Sequence, residues 1–162
     1  MVERKPKHLP TAGSTQALAE APDTAGCVCF ALRKSARAVT QLYDAALEPI
    51  GLRATQFSLL ASLRVGGPLT VSKLAEAMVM DRTTLTRNLS PVERRGLIKI
   101  APGRRDRRTK EVALTAKGRK RLSQADPLWA AAQTHMRHAM GVKRSAHLVF
   151  ELDIASAAAL AR

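Results

Sequence analysis

Between Thr70 and Thr115 the chain passes through short elements in an order that few folds accommodate. Thr70-Val-Ser-Lys-Leu-Ala-Glu-Ala-Met78 has the spacing of a short amphipathic helix, opened by a threonine able to cap it. After Val79 and Met80, Asp81-Arg-Thr-Thr-Leu-Thr-Arg-Asn-Leu89 reads as a second helix whose outward residues are hydroxylic and basic. Asp81 should cap it, since a carboxylate there faces the positive helix end and the amides near Thr83 and Thr84. Pro91 removes one backbone bond and predicts a bend, and Arg94-Arg-Gly-Leu-Ile98 closes the helix on a glycine. Ile98 and Ile100 then lead out to a cationic tip, Gly103-Arg-Arg-Asp-Arg-Arg108. Glu111-Val-Ala-Leu-Thr115 returns, with Val112 and Leu114 alternating as in a half-buried strand pair. Two helices in a tight turn followed by a basic β-hairpin are the outline of a winged helix-turn-helix. Such a unit places one helix in a major groove while the hairpin reaches to the backbone or minor groove.

The charge distribution agrees and says where a polyanion should sit. The 162 residues carry 27 Lys+Arg against 13 Asp+Glu, a net charge of +14. Residues 81–121 hold fourteen basic and four acidic side chains, whereas residues 1–24 are balanced at three and three. Residues 25–80 hold six and three, and 122–162 four and three. The excess therefore concentrates on the second helix, the hairpin and the start of the next helix, as counterion release from duplex nucleic acid favours. Aromatic residues are only 3%, too few for a surface that stacks bases.

Residues 1–24, with Pro6, Pro10, Gly13 and Pro22, show no sustained period and read as a disordered arm. From Val28, the residues Leu32, Ala36, Val39, Tyr43, Ala46 and Ile50 recur at helical spacing until Pro49 and Gly51 end the pattern. A further helix, roughly residues 55–64, should pack through Phe57, Leu60 and Leu63 and stop at Gly66-Gly67-Pro68. After Thr115 a long helical region carries Leu122, Ala125, Leu128 or Trp129, and Ala132 on one side, with Pro127 and Gly141 as candidate interruptions. A last helix, about residues 145–161, shows Leu148, Leu152, Ala155, Ala159 and Leu160. No apolar run approaches the ~18 residues of a membrane span. Arg4, Lys5 and Lys7 precede no apolar stretch of the kind a secretion signal needs, so a soluble, cytoplasmic protein is expected.

The middle of the chain resembles the MarR family of bacterial transcription regulators. The resemblance rests on Gly51-Leu52, Thr55-Gln56-Phe57 and Leu60, on Leu69-Thr-Val-Ser-Lys-Leu-Ala75 and Leu85-Thr-Arg87, and on Glu93-Arg-Arg-Gly-Leu-Ile98. Asp106-Arg-Arg108 and Val112-Ala-Leu-Thr-Ala-Lys-Gly118 complete it, in family order over roughly residues 30–135. It implies a mainly α fold with a small β wing: a winged helix-turn-helix lobe over residues 51–115 plus a helical dimerisation region over 25–50 and 116–162. A homodimer of that kind matches a palindromic operator with half-sites about one turn apart. The family usually represses nearby genes and releases DNA when a small molecule or an oxidant perturbs the dimer.

Carried onto this chain, the resemblance places Thr83, Thr84, Thr86 and Arg87 on the helix that reads base edges, with Arg82 on phosphate. Threonine methyls can meet thymine, and an arginine can fork onto guanine. Ser72 and Lys73 lie where the backbone passes. In the wing, Asp106-x-Arg108 matches the family's Asp-x-Arg: the arginine is expected in the minor groove, with the aspartate holding it by a charge-assisted bond. Arg104, Arg105, Arg107 and Lys110 would add phosphate contacts.

Cys27-Val28-Cys29 holds both cysteines of the chain at the mouth of the first helix. Some relatives that sense organic hydroperoxides carry a reactive cysteine in this helix, which makes Cys27 and Cys29 candidate redox sensors. A C-x-C pair is poorly set for a mutual bridge, so the oxidised partner would be another thiol or the other protomer. Packing residues, or ligands of a soft metal with His8 nearby, are the other readings of the pair. No metal site or cofactor is otherwise implied, and no glycine-rich phosphate loop or nucleophile motif suggests an enzyme. Two further classes stay open: an architectural DNA-binding protein without an effector, and a nucleic-acid enzyme or RNA-binding protein. The latter would need a metal-binding acidic pair or exposed aromatics.

Overall fold

The computed structural model describes residue 24 and residues 26–103 and 106–161. Apart from Thr24, the arm expected over residues 1–24 lies outside the described residues, as do Arg104 and Arg105 of the wing tip. The chain divides into two compact units, residues 1–39 and 40–162. In the first, Cys27 accepts the opening bond of helix α1 (Val28–Leu47) from the Ala31 amide at 3.0 Å, and Val28, Phe30 and Leu32 are exposed.

The second unit begins within α1, where Leu47, beside the expected stripe, is buried and Tyr43 and Ala46 of the stripe are half-buried. Glu48-Pro-Ile50 tightens into a 3₁₀ turn, and Gly51, at φ 64°, reverses the chain. Helix α2 (Ala54–Gly66) follows Arg53, a residue with no acceptor to offer a helix start. Asp44 supplies it from α1: Oδ1 accepts from the Ala54 amide at 2.7 Å and Oδ2 from the Arg53 guanidinium at 3.0 Å. Strand β1 (Leu69–Thr70), helices α3 (Val71–Ala77) and α4 (Arg82–Arg94), strands β2 (Ile98–Pro102) and β3 (Lys110–Leu114), and helices α5 (Ala116–Met140) and α6 (Val142–Leu160) complete it.

The three strands form an antiparallel sheet in the order β1-β3-β2. Ile98 faces Leu114 and Ile100 faces Val112, which puts the alternating apolar residues of both strands on one face. Leu69 faces Val112 from β1, which at two residues is too short to leave a period in the sequence. The core gathers Leu52, Leu60, Leu74, Leu85, Leu89, Val92, Leu97, Val112 and Leu122, all at most 1% exposed. Each such side chain contributes about 1.5–3 kcal/mol by leaving water.

Of the two candidate interruptions after Thr115, only Gly141 acts, at φ 84° between α5 and α6. α5 runs through Pro127, which is exposed, so the missing amide bond falls on the solvent side. On the other side Leu122 and Ala125 are buried, Trp129 stacks on Phe57 with centroids 5.8 Å apart, and Asp126 pairs with Arg64 at 2.8 Å. Tyr43 donates to Gln133 Oε1 at 2.8 Å; burial raises its pKa, and the nearby Arg137 charge partly offsets this. α6 begins at Val142, three residues before the expected start, and buries no residue.

Candidate nucleic-acid interface

The turn between α3 and α4 is held by the Val79 amide on Glu76 O (3.0 Å) and the Met80 amide on Ala75 O (2.9 Å). Closing it this tightly puts Val79 at φ 50°, a left-handed conformation that costs a β-branched residue about 1–2 kcal/mol. α3 starts as expected, with Thr70 accepting from the Lys73 amide at 3.2 Å, and Ser72 and Lys73 face solvent.

α4 buries Leu85, Leu89 and Val92, one stripe at helical spacing, and this directs the opposite face outward. Arg82, Thr83, Thr86 and Arg87 line an open groove of about 690 Å³ on that face. Ser90 and Arg94 extend it by two further turns. They are not among the expected contacts, although they lie four and eight residues beyond Thr86, on the same stripe.

Asp81 caps α4 doubly: Oδ1 accepts from the Thr84 amide at 2.8 Å and Oδ2 from the Thr84 hydroxyl at 2.6 Å. The hydroxyl bond, then the amide bond, hold the Asp81 carboxyl below its usual pKa. The Thr86 hydroxyl donates to Arg82 O at 2.7 Å. Both threonines thus have their proton engaged, leaving methyl groups and acceptor lone pairs for a ligand.

In the wing, Thr109 donates to Asp106 O through its amide (3.1 Å) and hydroxyl (2.7 Å), and Gly103 donates to Thr109 O at 2.9 Å. A Cβ on Gly103 would meet Thr109 Oγ1 and the Asp106 carbonyl, so only glycine fits there. The Asp106 carboxylate accepts from the Arg108 amide at 2.9 Å. This is an Asx turn, the carboxylate accepting from the main-chain amide two residues ahead. Arg107 and Arg108 are exposed, and with Lys110 they face Arg82 and Thr86 across a cleft of about 700 Å³ between wing and α4.

Not all of the basic excess faces this cleft. Lys117 donates to Arg95 O at 2.8 Å, Arg119 to Leu114 O at 3.0 Å, Arg121 to Ile50 O at 2.6 Å, and Arg95 to Gln56 Oε1 at 3.3 Å. These four cations bind the protein's own acceptors. Cys27 and Cys29 are free and exposed. Among the described residues, no three His, Cys, Asp or Glu gather as a metal site, and no helix is long and apolar enough to cross a membrane.

A three-stranded wing, a helix-turn-helix and a cationic outward helix face together define a winged DNA-binding protein. Comparison with known proteins places it further. The MarR family model matches residues 52–110. An uncharacterized HTH-type regulator of Bacillus subtilis, YwoH, is 31% identical over 93 residues, 57% of this chain and 67% of that protein. The organic hydroperoxide resistance transcriptional regulator of the same organism is 33% identical over 91 residues, 56% of this chain and 62% of its own length. The structure of the M. tuberculosis transcriptional regulator MosR in complex with DNA is 41% identical at a TM-score of 0.72, covering 83% of this chain and 98% of that one. The chain belongs to the MarR family of DNA-binding transcriptional regulators.

Proposed function

We propose that the protein is a repressor that binds a palindromic operator as a homodimer and releases it when an oxidant or a small molecule alters the dimer. The outward face of α4, with Arg82, Thr83, Thr86 and Arg87, and the cleft in which Arg82 and Thr86 meet the wing's Arg107, Arg108 and Lys110, are together the observation that carries this reading. Thr84 acts chiefly through the cap of that helix. Arg104 and Arg105, in the wing tip, and Ser72 and Lys73, on α3, add phosphate contacts.

The dimer draws on residues 25–50 and 116–162, leaving 51–115 for DNA. Supporting this, α6 leaves Val149 and Phe150 59% and 60% exposed, and α1 leaves Val28 67% exposed. Apolar surface on that scale calls for a protein partner, and a two-fold axis matches two half-sites.

For release, the exposed thiols of Cys27 and Cys29 favour an oxidant. Two thiols passing two electrons to a hydroperoxide yield a disulfide, an alcohol and water. The disulfide runs to the other protomer or a separate thiol and shifts the spacing of the two reading helices.

Selection of duplexes from a randomised pool tests the proposal. The expected product is a palindrome with half-sites about one turn apart, bound by two protomers and released by peroxide until dithiothreitol is added. The Cys27→Ser, Cys29→Ser variant should bind but ignore peroxide. Failure to enrich any duplex would end the regulator reading, and binding indifferent to all oxidants and ligands would leave an architectural protein.

A further inference from the structure

The last turn of α4 and the first turn of α5 meet at a junction built on main-chain carbonyls. α4 ends at Arg94 and Gly96, at φ 69°, turns the chain away, so the carbonyls beyond the helix end have no intrahelical donors. Residues 115–118 supply donors instead. The Thr115 hydroxyl lies 2.7 Å from Gly96 O, and the Thr115 amide donates to Leu97 O at 3.1 Å. Lys117 Nζ donates to Arg95 O at 2.8 Å. Gly118 is buried against the Leu97 carbonyl, where an added Cβ would fall on the oxygen itself. Arg95 in turn reaches Gln56 on α2 at 3.3 Å.

We propose that Lys117 is a positioning residue for DNA recognition, clamping the C-terminal end of α4 to α5 without touching DNA. An ammonium at a helix C-terminus also meets the negative end of the helix dipole, which favours this bond over solvation. The consequence for reading is geometric. α4 has 13 residues and is about 20 Å long, so a tilt of a few degrees at one end moves the other by more than an ångström. Bonds to base edges do not survive that displacement, whereas flexible arginines follow a phosphate easily. Loss of the clamp should therefore impair specific binding far more than non-specific binding. The inference rests on the proposal that α4 reads bases.

The test compares a duplex enriched by the wild-type protein with a scrambled duplex of the same length, over a series of salt concentrations. Lys117→Met keeps the aliphatic stem and removes the ammonium. Its affinity for the enriched duplex should fall about tenfold and for the scrambled duplex less than twofold, with the salt slope unchanged. Lys117→Arg, which can still donate to the Arg95 carbonyl, should restore specific binding, and thermal melts should show all three proteins folded. Equal losses on both duplexes, with a salt slope smaller by about one, would make Lys117 a phosphate ligand and overturn the inference. Unchanged affinity for the enriched duplex would overturn it too. A wild-type protein that prefers no duplex would remove the reading helix itself, a failure visible before any variant is made.

Discussion

The winged lobe and helix α6 sit in one unit of the chain and present opposite surfaces. In the lobe, Leu85, Leu89 and Val112 are covered in a continuous core while Arg82, Arg87 and Arg108 face outward, so its core is closed and its charge is uncompensated. In α6 no residue is buried, and Val149, Phe150 and Leu160 are each about 60% exposed. Charge left uncompensated on a finished core suits a polyanion, because long-range attraction and counterion release need no rearrangement. Apolar surface left uncovered suits another protein surface, because only exclusion of water returns its free energy. A mutation in one region should thus fail in a different assay from a mutation in the other.

The largest effect belongs to the lobe's core. Leu60→Ala should cost about 2–5 kcal/mol in denaturant unfolding, since it leaves a cavity among fully covered side chains. A loss below about 1 kcal/mol would mean that the lobe is loosely packed. Phe150→Glu on α6 should instead leave the lobe folded and raise the dimer dissociation constant at least tenfold by sedimentation. Unfolding rather than dissociation would show that α6 belongs to the monomer's core.

A smaller effect with an informative sign comes from the wing. Asp106→Ala removes a negative charge beside DNA, so electrostatics alone predicts tighter binding. The bond from the Arg108 amide to Asp106 predicts the opposite, about a fivefold weakening, because the tip loses its shape. Tighter binding would dismiss the turn as a determinant. The smallest effect concerns pH. The folded Asp81 carboxyl lies below its ordinary value of 3.8, so its cap is fully present above that pH and fades as pH falls through the folded value. Asp81→Asn can still cap but cannot titrate, so the unfolding curves of variant and wild type should converge or cross in that acid range. Parallel curves would show that the charge on Asp81 is irrelevant.

Much of the lobe was legible because its elements obey strict periods. The apolar face shared by Ile98, Ile100, Val112 and Leu114 follows from alternation, and the caps at Thr70 and Asp81 follow from residue type at a helix start. Strand β1 was not legible, since two residues carry no period. Pro127 was ambiguous because a proline's cost depends on which side of the helix it occupies, and that depends on tertiary packing. The basic residues were the least transparent. Lys110 and Lys117 look alike in sequence and both are exposed, yet the first lines the cleft beside α4 and the second bonds to Arg95 O. A charge count therefore locates the polyanion's face without saying which cations reach it. For Asp106 the family pattern points to the Arg108 guanidinium and gives no sign of the bond to the Arg108 amide.

Base-by-base affinity of wild type and Arg87→Ala for the enriched duplex, with each position of a half-site substituted in turn, tests most directly whether α4 reads sequence. Wild type should lose about 1–3 kcal/mol at each contacted position. Arg87→Ala should lose a similar amount on the unaltered duplex and become indifferent at one position per half-site, its other preferences intact. A variant that weakens equally on every duplex, scrambled ones included, would contradict the account and reduce Arg87 to a grip on phosphate.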